Sequence, residues 1–205
     1  MKESIPRKAV YRLSLYKRCL ERLGNDAATT VSSEALAKVA GVKSTQVRKD
    51  LGYCGQIGKR GLGYDVAILR SRLDDVLGHA SLQPVILVGA GQLGSALLRY
   101  EEGFAKEGFE IAAAFDARPK AIAADGPTPV FPLRRMGKFI ADHGVKMAIL
   151  CVPATAAQEV CNKLIGAGVQ AILNFAPIIL HVPANVMVNN VNLAIELENL
   201  SYFIR

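Results

Sequence analysis

The sequence lacks the cysteine pairs and long apolar runs that would indicate a metal cluster, a disulfide framework or a membrane span. Its four cysteines include no CxxC pair and its three histidines are isolated, so we expect neither a metal site nor disulfides. Its longest apolar runs, such as MAILCVPA, fall well short of the roughly 20 residues that a membrane helix needs. The N-terminal run MKESIPRKAV has no apolar secretory segment. We therefore expect a cytoplasmic protein that does not contact the membrane.

Acidic residues are in deficit only in the first part of the chain. Residues 1–80 contain 15 Lys and Arg against 8 Asp and Glu, whereas residues 81–205 contain 10 of each, so the first part carries the whole net charge of +7. This asymmetry predicts a polyanionic partner for the first part and a separate role for the second. Charge alone does not distinguish DNA, RNA or an acidic protein surface.

The helical pattern of the first part is typical of a helix-turn-helix. Apolar residues recur every three or four positions from Ala9 to Leu23, which predicts one amphipathic helix. Two short helices follow around Gly41, and we expect Ser33 and Ser44 to cap them. Their expected inward-facing residues are Leu36, Val39, Ala40, Val47 and Leu51.

The second short helix and the segment after it predict a winged-helix DNA-binding domain over residues 1–80. The helix would present polar side chains near its N-terminus, where Arg and Gln can bond base edges and Lys49 suits phosphate. The segment GQIGKRGLGY reads as a basic hairpin with its turn at residues 58–61, and Arg60 at its tip would enter an A·T-rich minor groove. An incidentally charged surface hairpin is the alternative. The candidate DNA contacts are Ser44, Thr45, Gln46, Arg48, Lys49, Lys59, Arg60, Gly61 and Tyr64.

A glycine-rich motif follows in the stretch VILVGAGQLGSALL. Gly89, Gly91 and Gly94 form GxGxxG between a β-branched strand and a helix, and a second strand ends at Asp116, 22 residues after Gly94. Such a loop places a pyrophosphate on the helix N-terminus, and the carboxylate accepts hydrogen bonds from ribose hydroxyls and repels a 2′-phosphate. The pattern therefore predicts NAD(H) rather than NADP(H), although Arg118 can accommodate a phosphate. A nucleotide-free fold and a coenzyme A pocket remain open.

Strand and helix units continue to Pro177, which predicts an α/β fold, a Rossmann-like doubly wound parallel sheet over residues 81–189. Ligands bind at the carboxyl ends of such strands, so the mostly apolar tips after Leu150 and Leu173 would form the nicotinamide walls. The candidate cofactor contacts are Gly89, Ala90, Gly91, Gln92, Leu93, Gly94, Asp116, Val152, Pro153, Asn174, Phe175, Ala176 and Pro177.

Only 28 residues follow Pro177, and they contain no convincing proton donor for hydride transfer. We therefore expect no catalytic residues and no enzyme activity. The final segment, residues 190–205, predicts a helix with an apolar stripe at Leu193, Leu197, Leu200 and Ile204. Such a stripe should dock on a second subunit, and a twofold dimer would read an inverted-repeat DNA site.

The segments STQVRKDLGYCGQIGKRGLGYDV, VGAGQLGSAL and ILNFAP, followed by the apolar terminal helix, together resemble the bacterial redox-sensing transcriptional repressors of the Rex family. The resemblance spans nearly the whole chain. It implies a homodimer with an N-terminal winged helix, a Rossmann domain that binds NAD(H), and a domain-swapped C-terminal helix. It further implies repression of fermentation or respiration genes, with NADH releasing the protein from its operator.

The same resemblance implies switch residues. Tyr100 matches the family's switch tyrosine, and Arg18 matches an arginine that pairs with an aspartate of the partner's terminal helix. The chain departs from the pattern at that point, because Asn192 takes the place of the aspartate and Leu193 that of the neighbouring aromatic. The implied salt bridge cannot form here.

Two other functions remain open. One is a small NAD-dependent oxidoreductase whose basic N-terminal part is incidental. The other is a DNA-binding regulator whose Rossmann domain holds coenzyme A or another nucleotide.

Overall fold

The computed structural model describes residues 5–23, 29–59, 61–78, 82–119 and 127–204. The chain divides into two compact units, Met1–Ser81 and Leu82–Arg205. None of the helices described is long and apolar enough to span a membrane. Within the same ranges, His, Cys, Asp and Glu side chains form no group of three or more that could hold a metal ion.

In the part of the N-terminal unit that the structure describes, four α-helices and a short 3-10 helix, Gly52–Cys54, accompany a small antiparallel sheet. The helices are α1 (Arg7–Leu23), α2 (Ser33–Ala40), α3 (Ser44–Leu51) and α4 (Val66–Leu77). The strands β1 (Thr30–Val31), β2 (Gly58–Lys59) and β3 (Gly63–Asp65) lie in the order β1-β3-β2. The pair β2 and β3 is the expected hairpin. No pattern in the sequence predicts β1, which is only two residues long.

The apolar stripe of α1 faces the core of this unit, as its spacing predicts. Ala9, Leu13, Tyr16 and Leu20 are all buried. Leu13, Tyr16 and Leu20 pack with the inward residues of the helix-turn-helix and of α4, which are Leu36, Val47, Leu51, Leu69 and Leu73. The two short helices are therefore held by a shared hydrophobic core, which explains how segments of eight residues stay helical.

Three local expectations for the short helices are wrong. Ser32, not Ser33, caps α2 by accepting a hydrogen bond from the Ala35 backbone N–H, because Ser32 has the extended backbone that a cap requires. Ser44 is already the first residue of α3, and Lys43 before it makes no side-chain cap bond. Val39 is 42% exposed. The buried face of α2 contains Leu36 and Ala37 instead.

The C-terminal unit is built on a six-stranded parallel sheet in the order β6-β5-β4-β7-β8-β9. Its strands are β4 (Gln83–Val88), β5 (Phe109–Asp116), β6 (Val130–Pro132), β7 (Met147–Leu150), β8 (Ala171–Asn174) and β9 (Met187–Asn190). Its helices are α5 (Gln92–Arg99), α6 (Glu101–Lys106), α7 (Met136–His143), α8 (Ala154–Gly166) and α9 (Leu193–Tyr202).

The first strand of this unit, β4, lies at the centre of the sheet. Ile86 and Val88 enter the core on one face, and Val85 and Leu87 enter the core on the other, which explains why the strand is apolar without alternation. The chain adds β5 and β6 on one side of β4 and then β7, β8 and β9 on the other. This reversal places a crevice at the carboxyl ends of β4 and β7, where doubly wound sheets bind ligands.

The strand β9 extends the sheet beyond the expected units. It lies parallel to β8, with Asn174 opposite Asn190. The connection from β8 to β9 contains no helix, so the alternation of strand and helix that revealed the other strands is missing here.

Candidate DNA-binding and dinucleotide-binding sites

The glycine loop between β4 and α5 is shaped by close backbone packing. Gly89 has φ +95°, and a Cβ at this position would lie 2.5 Å from the Cys151 carbonyl oxygen. A Cβ on Gly94 would collide with the Gly89 carbonyl oxygen. These two positions therefore require glycine for reasons internal to the fold.

Gly91 differs from the other two glycines because a Cβ there would meet nothing within 4 Å. It precedes the first turn of α5, and no side chain caps that helix end. The N-terminal N–H groups of a helix favour an anion, and the open side of Gly91 lets a ligand approach the backbone closely. The neighbouring Gln92 and Leu93 are exposed. The loop thus fits the pyrophosphate of a dinucleotide.

Asp116 ends β5 beside this loop. Its Oδ2 accepts a hydrogen bond from the Ala90 N–H at 2.9 Å, and its Oδ1 accepts one from the Arg118 N–H at 2.7 Å. Each carboxylate oxygen can accept a second hydrogen bond. The carboxylate therefore links the loop to the strand tip and can still bond ribose hydroxyls.

The carboxyl end of β7 forms the next wall of the crevice. The Cys151 N–H donates to the Val88 carbonyl oxygen at 2.7 Å, and Val152 Cγ1 lies 3.0 Å from the position that a Cβ on Gly89 would take. Burial raises the pKa of the Cys151 thiol to about 11, so this side chain is neutral at physiological pH. Val152 therefore lies next to the glycine loop, and its neighbour Cys151 carries no charge. The exposed Pro153 follows it.

Asn174 at the end of β8 turns its side chain into the protein, so only its backbone could contribute to the expected nicotinamide wall. It is fully buried. Its Nδ2 donates to the carbonyl oxygens of Ala176 and Ile178 and to Asn190 Oδ1, and its Oδ1 accepts from the Ala176 N–H. The side chain fixes the backbone of this loop, which leaves Phe175 half-buried and Pro177 exposed.

In the N-terminal unit, α3 presents part of the expected DNA-binding surface. Thr45 and Lys49 are exposed. Gln46 Nε2 donates to Asp50 Oδ1 at 2.9 Å, and Arg48 Nη1 donates to Ser33 Oγ at 2.8 Å and to Glu34 Oε1 at 3.0 Å. The two side chains best suited to reading bases are therefore held by intramolecular hydrogen bonds, while Ser44 is half-buried.

The sequence reading missed a buried polar network between α1 and α3. Asp50 is 1% exposed and accepts hydrogen bonds from Arg12 Nε at 2.6 Å, Arg12 Nη2 at 2.8 Å and Tyr16 Oη at 2.9 Å. Burial alone would raise the pKa of Asp50, but the hydrogen bonds from Arg12, Gln46 and Tyr16 outweigh it and lower the pKa. The network fixes α3 against α1. Asp50 lies three residues after Val47, so helical spacing places it on the same inward face of α3. This spacing is the sequence signal by which the buried carboxylate could have been found.

The hairpin after α3 has the expected strands with a shifted turn. The Leu62 N–H donates to the Lys59 carbonyl oxygen at 3.1 Å, which closes the turn one residue later than expected, and Gly61 has φ +83°. Lys59 is exposed. Tyr64 is half-buried, packs against the core and covers Gly58, so much of its ring is unavailable to DNA. Arg60 lies outside the described residues.

Two family profiles match the chain, one in each unit. The family described as "Putative DNA-binding protein N-terminus" matches residues 4–52. The family described as "CoA binding domain" matches residues 81–178.

Curated relatives match over nearly the full length. A redox-sensing transcriptional repressor Rex from Pelotomaculum thermopropionicum is 44% identical over 97% of this chain and 93% of its own. One from Streptomyces coelicolor is 46% identical over 97% of this chain and 77% of its own. The chain belongs to the Rex family of redox-sensing transcriptional repressors.

Solved structures agree with this family membership. A crystal structure of RSP, a Rex-family repressor, is 34% identical over 98% of this chain and 94% of its own, with a TM-score of 0.86. RSP in complex with beta-NAD+ and operator DNA gives a TM-score of 0.89, and RSP in complex with beta-NADH gives 0.84. The combination of an N-terminal winged helix-turn-helix unit and a C-terminal Rossmann-like parallel sheet is thereby confirmed.

The residues that the Rex resemblance marks as a switch have defined local settings. Tyr100 follows α5, is 62% exposed, and contacts Phe104 edge to face at 5.4 Å between ring centroids. Arg18 is exposed on α1. Asn192 Oδ1 caps α9 by accepting from the N–H groups of Ala194 and Ile195 at 3.0 and 3.3 Å. The asparagine at this position is thus the N-cap of α9.

The terminal helix α9 of this Rex protein carries its apolar stripe on the surface of the chain. Leu193, Leu197 and Leu200 are 64–67% exposed, and Ile204 just beyond the helix is 84% exposed. Large contiguous apolar patches are rare on monomeric proteins and mark interaction sites.

Proposed function

We propose that the protein is a transcriptional repressor that binds an operator through its N-terminal unit and releases it when NADH occupies its C-terminal unit. The observation that carries this proposal is the presence in one chain of an exposed, basic helix-turn-helix and of a glycine loop with Asp116 at the adjacent strand tip. The names of the Rex relatives, and the RSP complexes with operator DNA, beta-NAD+ and beta-NADH, support it.

The DNA-facing residues of this proposal are Thr45, Gln46, Arg48 and Lys49 of α3 with Lys59 and Gly61 of the wing. Gln46 and Arg48 would exchange their contacts with Asp50 and Glu34 for base edges when α3 enters the major groove. Lys49 and Lys59 would bind phosphates. Arg60 at the tip of the wing would enter the minor groove of an A·T-rich inverted repeat in double-stranded DNA.

For NAD(H), the loop from Gly89 to Gly94 would hold the pyrophosphate and Asp116 the ribose hydroxyls. Val152, Pro153, Phe175, Ala176 and Pro177 would surround the nicotinamide. The neutral Cys151 and the apolar side chains at these strand ends disfavour a positive charge. The crevice should therefore prefer the uncharged dihydronicotinamide ring of NADH to the cationic nicotinamide ring of NAD⁺. This difference in affinity would allow a redox response.

We propose further that the protein is a cytoplasmic homodimer in which the C-terminal segment, residues 190–205, which contains α9, is exchanged between subunits. The exposed stripe of Leu193, Leu197 and Leu200 needs a partner surface, and a second copy supplies it with twofold symmetry. Arg18 and Tyr100 would transmit occupancy to the DNA-binding units. Asn192 could accept a hydrogen bond from Arg18 there but supplies no counter-charge, so the ion pair that an aspartate would make is absent.

The test is operator affinity as a function of the NADH:NAD⁺ ratio, measured by fluorescence anisotropy on the full chain. We expect affinity to fall as NADH rises. Operator binding that is unchanged at saturating NADH would contradict the sensing role, and steady consumption of NADH with small carbonyl compounds would favour an oxidoreductase instead.

A variant pair tests the DNA surface. Lys49→Ala should weaken operator binding and reduce the salt slope by about 1. The matched control is Lys163→Ala, which removes an exposed lysine paired with Glu159 on α8, and it should leave the operator affinity unchanged.

A further inference from the structure

The wing, which is the hairpin of β2 and β3, carries an exposed apolar side chain at its turn. Leu62 is 67% exposed, and its backbone N–H closes the turn by donating to the Lys59 carbonyl oxygen. Ile57 and Tyr64 of the same segment pack against the core of the N-terminal unit instead. A single exposed leucine is common on protein surfaces, so its meaning depends on its position in the hairpin.

The turn around Leu62 is narrow. Its neighbours Gly61 and Gly63 carry no side chains, and they have φ +83° and +82°. The leucine side chain is therefore not flanked by a side chain of either adjacent residue. The minor groove of B-DNA is only about 6 Å wide, and a turn with one isobutyl group between two glycines is slim enough for such a groove.

The base of the hairpin fixes this turn to the domain. A Cβ on Gly63 would collide with the Val31 carbonyl oxygen of β1, and the ring of Tyr64 covers Gly58. Val31 lies opposite Tyr64 in the sheet and is itself buried. The hairpin is thus anchored to the core before any ligand binds, so a contact made by Leu62 costs little loop entropy.

The charges near the turn indicate DNA as the ligand. Lys59, the first residue of the turn, is exposed. The first 80 residues contain 15 Lys and Arg against 8 Asp and Glu, which favours a polyanion. The lysine can bind a phosphate at the rim of a groove, while the leucine contacts sugars and base edges inside it.

We propose that Leu62 enters the minor groove of the operator and selects A·T over G·C pairs there. In this groove the two kinds of pair differ by one donor, the N2 amino group of guanine. Against a leucine this donor loses water without gaining an acceptor, which lowers the affinity for G·C. Phosphate contacts such as that of Lys59 do not distinguish the pairs. The inference rests on the proposed operator binding and names the residue of the wing that reads the base.

The experiment compares duplexes that differ only in the minor groove. An operator is first obtained by selection from random-sequence DNA with the wild-type, full-length protein. Each adenine of a half-site is then replaced in turn by 2,6-diaminopurine, which keeps the major-groove edge of adenine and adds a 2-amino group in the minor groove. In fluorescence anisotropy, the replacement should weaken wild-type binding about tenfold at the A·T pairs that the wing covers.

The decisive variant is Leu62→Asn, because its amide oxygen can accept a hydrogen bond from the added amino group. It should bind the adenine and diaminopurine duplexes within about twofold of each other. Leu62→Ile stays apolar and should retain the difference of about tenfold. The control Ile68→Ala shortens an apolar side chain of α4 that is 53% exposed, and it should retain the same difference. All three changes lie on the surface, where substitutions disturb folding little.

Two results would overturn the inference. One is wild-type binding that tolerates diaminopurine at every adenine. The other is a loss on diaminopurine that is as large in Leu62→Asn as in the wild type, which would assign the discrimination to a different residue. Failure of the proposed function gives a separate result, because selection with the wild-type protein would then enrich no DNA sequence.

Discussion

Replacing Asp50 by Asn should destabilise the N-terminal unit strongly, although the two side chains are nearly the same size. The Asp50 carboxylate accepts two hydrogen bonds from Arg12 and one each from Tyr16 and Gln46. An asparagine offers one carbonyl oxygen and a competing N–H₂ group in place of two acceptor oxygens. It also leaves the Arg12 guanidinium, whose side chain is only 23% exposed, without a counter-charge.

The size of the effect follows from this geometry. Removing one partner of a buried ion pair costs about 3–5 kcal/mol. The residual exposure of Arg12 to water places the loss near the lower end, at about 3 kcal/mol. For a domain of this size each kcal/mol lowers the melting temperature by roughly 4–8 °C, so the transition of this unit should fall by roughly 12–24 °C.

Differential scanning calorimetry of the full chain measures the shift, and hydrogen exchange of α1 and α3 shows which unit has changed. The control Glu159→Gln removes an exposed carboxylate that pairs with Lys163 on α8, and it should leave both transitions in place. A melting temperature for Asp50→Asn equal to that of the wild type would refute the reasoning. So would an equal loss in the control.

The pH dependence of stability provides a second measurement of the same network. Because the folded-state pKa of Asp50 is lowered, the carboxylate stabilises the fold fully above its unfolded pKa of about 4, and this stabilisation is lost as the pH falls through the lower folded pKa. The free energy of unfolding of the wild-type protein should therefore decrease as the pH falls from about 4 through the folded-state pKa of Asp50. The Asn variant should lack this contribution.

Three further predictions concern the two sites and the terminal helix. Gly91→Val should fold normally, because a Cβ there meets nothing within 4 Å. Calorimetry should nevertheless show an NADH affinity reduced by roughly ten- to hundredfold, because the added side chain overpacks the pyrophosphate site. Unchanged affinity would contradict the placement of the pyrophosphate. Glu34→Gln should release Arg48 from its ion pair and tighten operator binding in anisotropy, whereas weaker binding would oppose this view. Leu197→Glu should sediment as a monomer at concentrations where the wild type is a dimer, and a persistent dimer would exclude α9 as the contact.

Much of the fold could be predicted because it depends on local pattern. The spacing of the apolar residues in α1, the apolar strand before Gly89 and the position of Asp116 at the end of β5 all follow from periodicity and motif spacing. The strands β1 and β9 could not be predicted in this way. Their pairing with β3 and β8 is set by tertiary contacts and not by a pattern in their own few residues.

The candidate sites were less predictable than the fold for the same reason. The sequence shows that Gln46 and Arg48 are polar residues on a short helix, but it does not show that Asp50 and Glu34 hold them. It likewise places Asn174 at a strand end without showing that four hydrogen bonds turn its side chain into the loop. Which donor meets which acceptor is decided by distances in three dimensions.

The double attachment of Asp116 to the N–H groups of Ala90 and Arg118 has a consequence for binding. It preorganises the glycine loop, since the backbone there is already tethered to the tip of β5 before a nucleotide arrives. Little conformational entropy then has to be given up on association. In such a site, ordering of the loop contributes little to the enthalpy of binding. The ligand mainly displaces water from a surface whose conformation is already the bound one.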